Sequence, residues 1–358
     1  MANLARWSPE DRRALLPEGA AELVVACLQD RGDPVLTQAL AFCTNVSSEV
    51  AARSRLLKAG AAKPLVRLVE DADETVREWA AGSLSNLMDG HAESVATVYL
   101  QVPDLPRRLV YALETEYSVP IQRVLARAVA LLAGRYPEQV RRAGAREPLA
   151  EVLEEQSAWE PALGLMNLAP VGKDRHELVK RGAVVQLARL LGSADTGSHS
   201  AAFAAGALAN LTAGCPEASD QARAAGASGP LLRLLGPAGG ACGGPEAARY
   251  HLDRLAAEWA AGALGNLVEH GPALFRAEVV AGGALGPLVR LLTDELTSAP
   301  ELAVFALGAL APGEPPEELR GLLRGSGAEA SALAQTAARA PGGPLLERSL
   351  SLLRLARD

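Results

Sequence analysis

Five asparagines recur along this chain in matching surroundings: Asn45, Asn86, Asn167, Asn210 and Asn266. Two of them end near-identical phrases, "EWAAGSLSNL" at 78–87 and "EWAAGALGNL" at 258–267. A carboxamide carries both a donor and an acceptor, so a row of amides can pair with a peptide backbone without reading its side chains. Residues suited to covalent or metal chemistry do not gather in this way. His91, His176, His199, His251 and His270 have no second His or Cys at ligand spacing. His251 and Asp253, in "RYHLDRLAAEW", offer two ligands at most and read as a solvated helix start. No G-x-S-x-G, H-E-x-x-H or P-loop occurs. Cys27, Cys43, Cys215 and Cys242 form no C-x-x-C pair, and reduced thiols are expected. The sequence therefore predicts no enzyme, no metal and no cofactor.

The asparagines demand elements that repeat. Leu131 in "RAVALLAG" and Ala309 in "FALGALA" stand at the same place in weaker copies, giving steps of 41, 45, 36, 43, 56 and 43 residues. The long step holds "GPAGGACGGPE", an insertion loop placed at 236–250; without it the period is about 42. A second phrase keeps the same beat: "AGAAKPLVRLV" at 59–69, "AGAREPLAEVL" at 143–153, "RGAVVQLARLL" at 181–191, "AGASGPLLRLL" at 225–235 and "GGALGPLVRLL" at 282–292. A degenerate copy, "EGAAELVVACL", opens the series at 18–28, and "VPDLPRRLVYAL" at 102–113 fills its gap.

Each unit reads as three helices. The first ends at the phrase's glycine, which can take the left-handed conformation of a helix C-terminus. The second carries its proline in the first turn, where a missing N–H does little harm. A polar turn follows ("EDADE", "GSADTGS", "TDELTSAP"), then a third helix of the "EWAAGSLSNL" type. Apolar positions follow the 3.6-residue period throughout, with no strand alternation.

A three-helix unit of about 42 residues, with "AGA-x-x-PLVRLL" followed by "AAGALxNL", resembles the armadillo repeat. The resemblance covers residues 18–311. It implies an all-α, right-handed α-α superhelix of about seven three-helix repeats. Residues 1–17 are expected as an N-terminal helical cap, since "SPEDRRALL" offers Ser8 as N-cap and Pro9 behind it. Residues 312–358 are expected as a C-terminal helical cap or degenerate repeat, of the kind that closes a solenoid's exposed core.

In that family the third helices line a groove whose asparagines hold an extended partner peptide. By resemblance this role falls on Asn45, Asn86, Asn167, Asn210 and Asn266; the other possibility is that each bonds a neighbouring helix. Seven residues earlier is about 10 Å along the helix and about 20° off the same line. Gln38, Trp79, Glu160, Phe203 and Trp259 stand there, so the position is expected to be partly exposed and to line the groove; the other possibility for its aromatics is core packing between adjacent repeats. Four residues before each Asn are Ala41, Gly82, Leu163, Gly206 and Gly262. Nuclear-import adaptors of this superfamily carry tryptophan there, so this chain departs from the pattern that clamps lysines.

Composition agrees. Hydrophobic residues make 49% of 358 and aromatics 4%, so the core is aliphatic. A net charge of −7 disfavours nucleic-acid and anionic-membrane partners. "MANLARWSPEDRR" lacks an apolar leader, and no window reaches a membrane span, so a cytoplasmic and possibly nuclear monomer is expected. The sequons at 45–47 and 210–212 use the ladder asparagines and read as chance matches. The function expected is a protein-binding scaffold or adaptor taking an extended or helical segment. Its rival is a chaperone cofactor or enzyme regulator gripping a folded partner; an import-type cargo adaptor ranks below both.

Overall fold

The structure, a computed structural model, describes residues 19–30, 35–89, 92–168, 172–236, 247–293, 298–312, 317–324, 327–340 and 342–357. The predicted cap at 1–17, His91, Cys242 and most of the insertion loop lie outside these residues. The described residues form helices and no strand. They divide into two compact units, 1–168 and 169–358.

The first unit opens on α1 (Ala20–Gln29) and α2 (Leu36–Val46), a second-type and a third-type helix. Three full triplets follow. They are α3 (Val50–Lys58), α4 (Ala62–Leu68) and α5 (Glu74–Met88); α6 (Ala92–Gln101), α7 (Leu105–Thr115) and α8 (Val119–Arg135); and α9 (Pro137–Arg142), α10 (Arg146–Gln156) and α11 (Trp159–Leu168). The third helices α2, α5, α8 and α11 pack in series.

The second unit holds four triplets. They are α12 (Gly172–Lys180), α13 (Ala183–Ser193) and α14 (His199–Thr212); α15 (Pro216–Ala224), α16 (Ser228–Leu234) and α17 (Ala247–Glu269); α18 (Ala273–Ala281), α19 (Leu285–Leu291) and α20 (Ala299–Leu310); and α21 (Glu317–Arg324), α22 (Gly327–Arg339) and α23 (Pro344–Arg357). Here α14, α17, α20 and α23 pack in series. Helix α17 starts at Ala247, inside the stretch read as insertion loop. The tail contributes three helices, with α23 standing against α20 as another third helix would.

Local chemistry explains these boundaries. Gly60, Gly144, Gly182, Gly226 and Gly283 all have φ between 76° and 88°, a conformation that costs a residue with a Cβ but not glycine. At the first of them the Ala61 N–H donates to the Leu56 carbonyl (3.0 Å) and the Gly60 N–H to Leu57 (3.1 Å). That pair of bonds is the Schellman closure, and the same pattern recurs at Ala145, Ala227 and Ala284. Asp73 caps α5 by accepting from Thr75 N–H (2.8 Å), and Ser198 caps α14 by accepting from Ala201 N–H (3.1 Å). Leu56, Leu65, Leu68, Leu84 and Leu87 are fully buried, each contributing about 1.5–3 kcal/mol of hydrophobic stabilisation.

A further tie links first and third helices of one repeat. Arg175 on α12 donates to the Ala213 carbonyl at the end of α14. Arg223 on α15 reaches Leu267 O near the end of α17 (3.0 Å), and Arg276 on α18 reaches Pro312 O beyond α20 (3.1 Å). A cation at a helix C-terminus complements both the unpaired carbonyls and the helix dipole. Arg53 on α3 is buried more deeply than these half-buried arginines, donating to Ser47 O and feeling the charge of Asp89 after α5. Arg53, Arg175 and Arg276 each stand seven residues before the repeat glycine, a sequence signal outside the two phrases read above.

Candidate functional site

The candidate sites are the lines of third-helix residues that include the asparagines, one in each unit. In the first unit, Asn86 Nδ2 donates to the Thr44 carbonyl on α2 (3.1 Å). Asn167 Nδ2 donates to the Ala130 carbonyl on α8 (3.0 Å). In the second, Asn266 Nδ2 donates to the Ala209 carbonyl on α14 (2.9 Å) and to Thr212 Oγ1 (3.1 Å). One rule covers all three. The acceptor is the residue just before the ladder position of the preceding third helix: Thr44 before Asn45, Ala130 before Leu131, Ala209 before Asn210.

The amides of Asn86, Asn167 and Asn266 each bond a neighbouring helix, but not to the same extent. Asn86 and Asn167 are half-buried, and each makes one amide N–H bond among the described residues. No further hydrogen bond of either side chain is found among the described residues. Asn266 is buried (6% exposed) and donates twice. Asn45 and Asn210 are half-buried.

The residues seven positions earlier also diverge. Gln38 is exposed, while Trp79, Phe203 and Trp259 are half-buried. The rings of Phe203 and Trp259, on adjacent helices α14 and α17, lie 6.0 Å apart and tilted by 40°. His199 extends this row, 5.8 Å from Phe203. Glu160 does not share the expected exposure. It is buried (7% exposed) because Arg123 reaches it from α8, at 2.9 and 3.4 Å. The aromatic of α11 stands one residue earlier, at Trp159, with the Arg127 guanidinium 5.9 Å over its ring. Arg127 also pairs with Asp89 at 2.5 Å.

Two of the glycines four before an Asn receive neighbouring side chains. A Cβ on Gly82 would touch Thr44 Cγ2 at 3.4 Å, and one on Gly262 would meet Leu302 at 3.2 Å and Ala209 at 3.7 Å. Gly265 is stricter: a Cβ there would come within 2.5 Å of the Phe305 ring. In the second unit, then, Leu302 and Phe305 of α20 lie down on glycines of α17. Arg348 of α23 does the same on Phe305 (4.5 Å to the ring centre) and Gly308, and donates to Phe305 O (3.2 Å). Leu302 and Phe305 belong to a helix without the asparagine, which is why the asparagine series passes over them.

Arg77, the basic residue of α5, turns away from this line. Its guanidinium grips Glu116 (2.8 and 3.3 Å) in the loop before α8. Burial alone would push the Glu116 carboxyl up, but Arg77 and the N–H groups of Ser118 and Tyr117 outweigh it and hold the carboxyl below its ordinary range. Among the described residues no three His, Cys, Asp or Glu side chains gather to hold a metal, and no helix is long and apolar enough to cross a membrane.

Comparison with solved structures places this architecture. An engineered protein solved by crystallography superposes with a TM-score of 0.65 at 25% identity, covering 100% of this chain and 83% of that one. A designed armadillo repeat protein matches with a TM-score of 0.52 at 25% identity, over 67% of this chain and 99% of its own. A second engineered protein gives 0.51 at 29% identity, over 70% and 99%. No protein-family model matches the sequence, and no curated protein does. The chain has the armadillo-type helical repeat fold, a scaffold of a kind that generally binds peptides or proteins.

Proposed function

We propose that this armadillo-type chain is a non-enzymatic scaffold that holds a segment of a partner protein along its third helices. The observation that carries this reading is the pairing of Trp79 with Asn86 on one face of α5. The indole is half-exposed, and among the described residues the half-buried amide makes the single bond to Thr44. An aromatic platform two turns from a half-buried amide suits an extended segment, whose backbone meets the amide and whose apolar side chain meets the ring. Asn167 repeats the amide two third helices on. In the second unit Phe203 and Trp259 supply apolar anchors, and aromatic residues of this kind tend to dominate binding energy. Asn45 and Gln38 belong to the proposed face of the first unit and Asn210 to that of the second; Glu160 and Asn266 act only as supports, each in its own unit.

A lysine-clamping adaptor fits poorly, since Arg123 and Arg127 occupy the α8 face where a basic cargo would lie. The rival, a regulator that grips a folded domain, draws its support from Asn266, whose two bonds serve the helix stack alone.

The test compares three variants in partner capture: W79A/N86A/N167A, F203A/W259A and N266A. Circular dichroism and melting establish that each is folded. The scaffold reading expects the first two to lose partners that N266A retains when folded. If all partners survive both sets, the groove reading fails and the folded-domain reading takes its place.

A further inference from the structure

First and second helices of the first unit line an open surface cavity of about 390 Å³ away from the asparagine line. It lies among α6, the start of α7 and α9. Tyr99 and Pro106 form an apolar floor, and Arg107, Arg142, Gln139 and Asp104 stand around it. Tyr99 is held by Tyr136, ring centres 4.4 Å apart, and Arg135 lies 5.7 Å over the Tyr136 ring. Leu100, the neighbour of Tyr99, is 76% exposed.

The charge here opposes that of the molecule. The chain carries −7, yet residues 103–146 hold eight arginines against four acids, a local balance of +4. Some of those arginines are committed on the third-helix side, where Arg123 pairs with Glu160 and Arg127 with Asp89. Those at the cavity are less matched. Arg107 has no acidic partner within salt-bridge distance among the described residues. Glu138 is shared between Arg141 and Arg142, and the Arg142 side chain is 77% exposed. Asp104 is the opposing charge at the rim itself.

We propose that this cavity is a second docking site, taking an acidic segment of a partner protein. An apolar side chain of that segment sits on Tyr99 and Pro106, and carboxylates flanking it meet Arg107 and Arg142. Guanidinium forks match carboxylates in shape as well as charge. The apolar floor and the small volume fit one side chain between two charges. A polynucleotide needs a long basic track, which a patch on an acidic molecule does not offer.

The experiment is a selection of random twelve-residue peptides displayed on phage, made on the full chain and counter-selected on R107E/R142E. Both substituted side chains are exposed, and the variant's melting curve checks its fold. The expected winners carry an apolar residue between Asp or Glu. As synthetic peptides they bind the full chain more weakly as salt rises, and about tenfold or more weakly when both charges are reversed. Their binding is unchanged in W79A/N86A/N167A, so this proposal stands or falls apart from the groove. Winners that are neutral or basic, or that bind R107E/R142E equally well, overturn it. A single-stranded oligonucleotide that binds more tightly than every peptide also overturns it, in favour of nucleic acid.

Discussion

The phrases at 78–87 and 258–267 differ at two places, Ser83 against Ala263 and Ser85 against Gly265. In the first unit Ser83 Oγ lies 2.7 Å from Thr44 Oγ1, a bond back to α2. In the second unit the corresponding alanine makes no such bond, and Gly265 opens space for Phe305 coming from α20. The shared letters build the repeat itself: the fully buried Leu84 and its counterpart Leu264, Leu87 and Leu267, and the asparagine that reaches the previous helix. The two letters that differ record the neighbours. At this rung α5 meets α2 through hydroxyls beside a half-buried Asn86, whereas α17 takes a large side chain of α20 onto its glycine and buries Asn266.

The sharpest way to break this contrast is to exchange its small residues. Gly265→Ala should destabilise the protein by about 1–3 kcal/mol, because the methyl collides with the Phe305 ring and the helices must part. Ser85→Ala, at the same rung, should be neutral or stabilising by up to about 1 kcal/mol, since Ser85 Oγ is buried without a hydrogen bond. Urea titrations of the two variants check the signs, and equal losses would refute the contrast.

The asparagines come next. Asn266→Ala removes two bonds at a buried position and should cost about 1–3 kcal/mol. Asn86→Ala removes one at a half-buried position and should cost about 0.5–1.5 kcal/mol. Thermal unfolding would show whether the order holds.

Acidification should act through Glu116 in the first unit. Its carboxyl is held below the ordinary carboxylate range, so the ion pair contributes stability that is present above that range and is lost as pH falls through the lower pKa of the folded state. Wild type should therefore lose more urea resistance between pH 7 and pH 3.5 than Glu116→Gln does. Parallel pH profiles would show that the Arg77 pair does not matter.

The smallest effect concerns Cys43, beside Ser83. Burial pushes its thiol up to about 12, the Ser83 hydrogen bond opposing this only in part. Alkylation at pH 8 should label the half-buried Cys27 well before Cys43, as peptide mass mapping would reveal.

What the sequence made legible follows from what it repeats. The glycines of "AGA" announced left-handed turns, and Gly60, Gly144, Gly182, Gly226 and Gly283 all adopt them, because backbone conformation depends on local residues alone. The Asn series located the third helices for the same reason. Glu160 misled because its burial depends on Arg123, a residue of another helix with no fixed offset in the repeat. Phe305 escaped notice because its helix lacks the asparagine that marked the others. The first-helix arginines were readable at their seven-residue offset, but "RSRLLKAG" and "FRAEVVAGG" share too little else to draw the eye.

The asparagine bonds end on carbonyl oxygens of Thr44, Ala130 and Ala209, three acceptors whose side chains have little in common. Every residue type offers that oxygen, so this bond asks nothing of its neighbour's identity; only the second bond of Asn266, to Thr212 Oγ1, does. The arginine ties from α12, α15 and α18 stay inside one triplet and likewise end on main-chain oxygens. Triplets built this way are interchangeable parts. One could be duplicated, deleted or moved along the array with both kinds of joint re-forming, and only fitted contacts such as Phe305 on Gly265 would register the exchange.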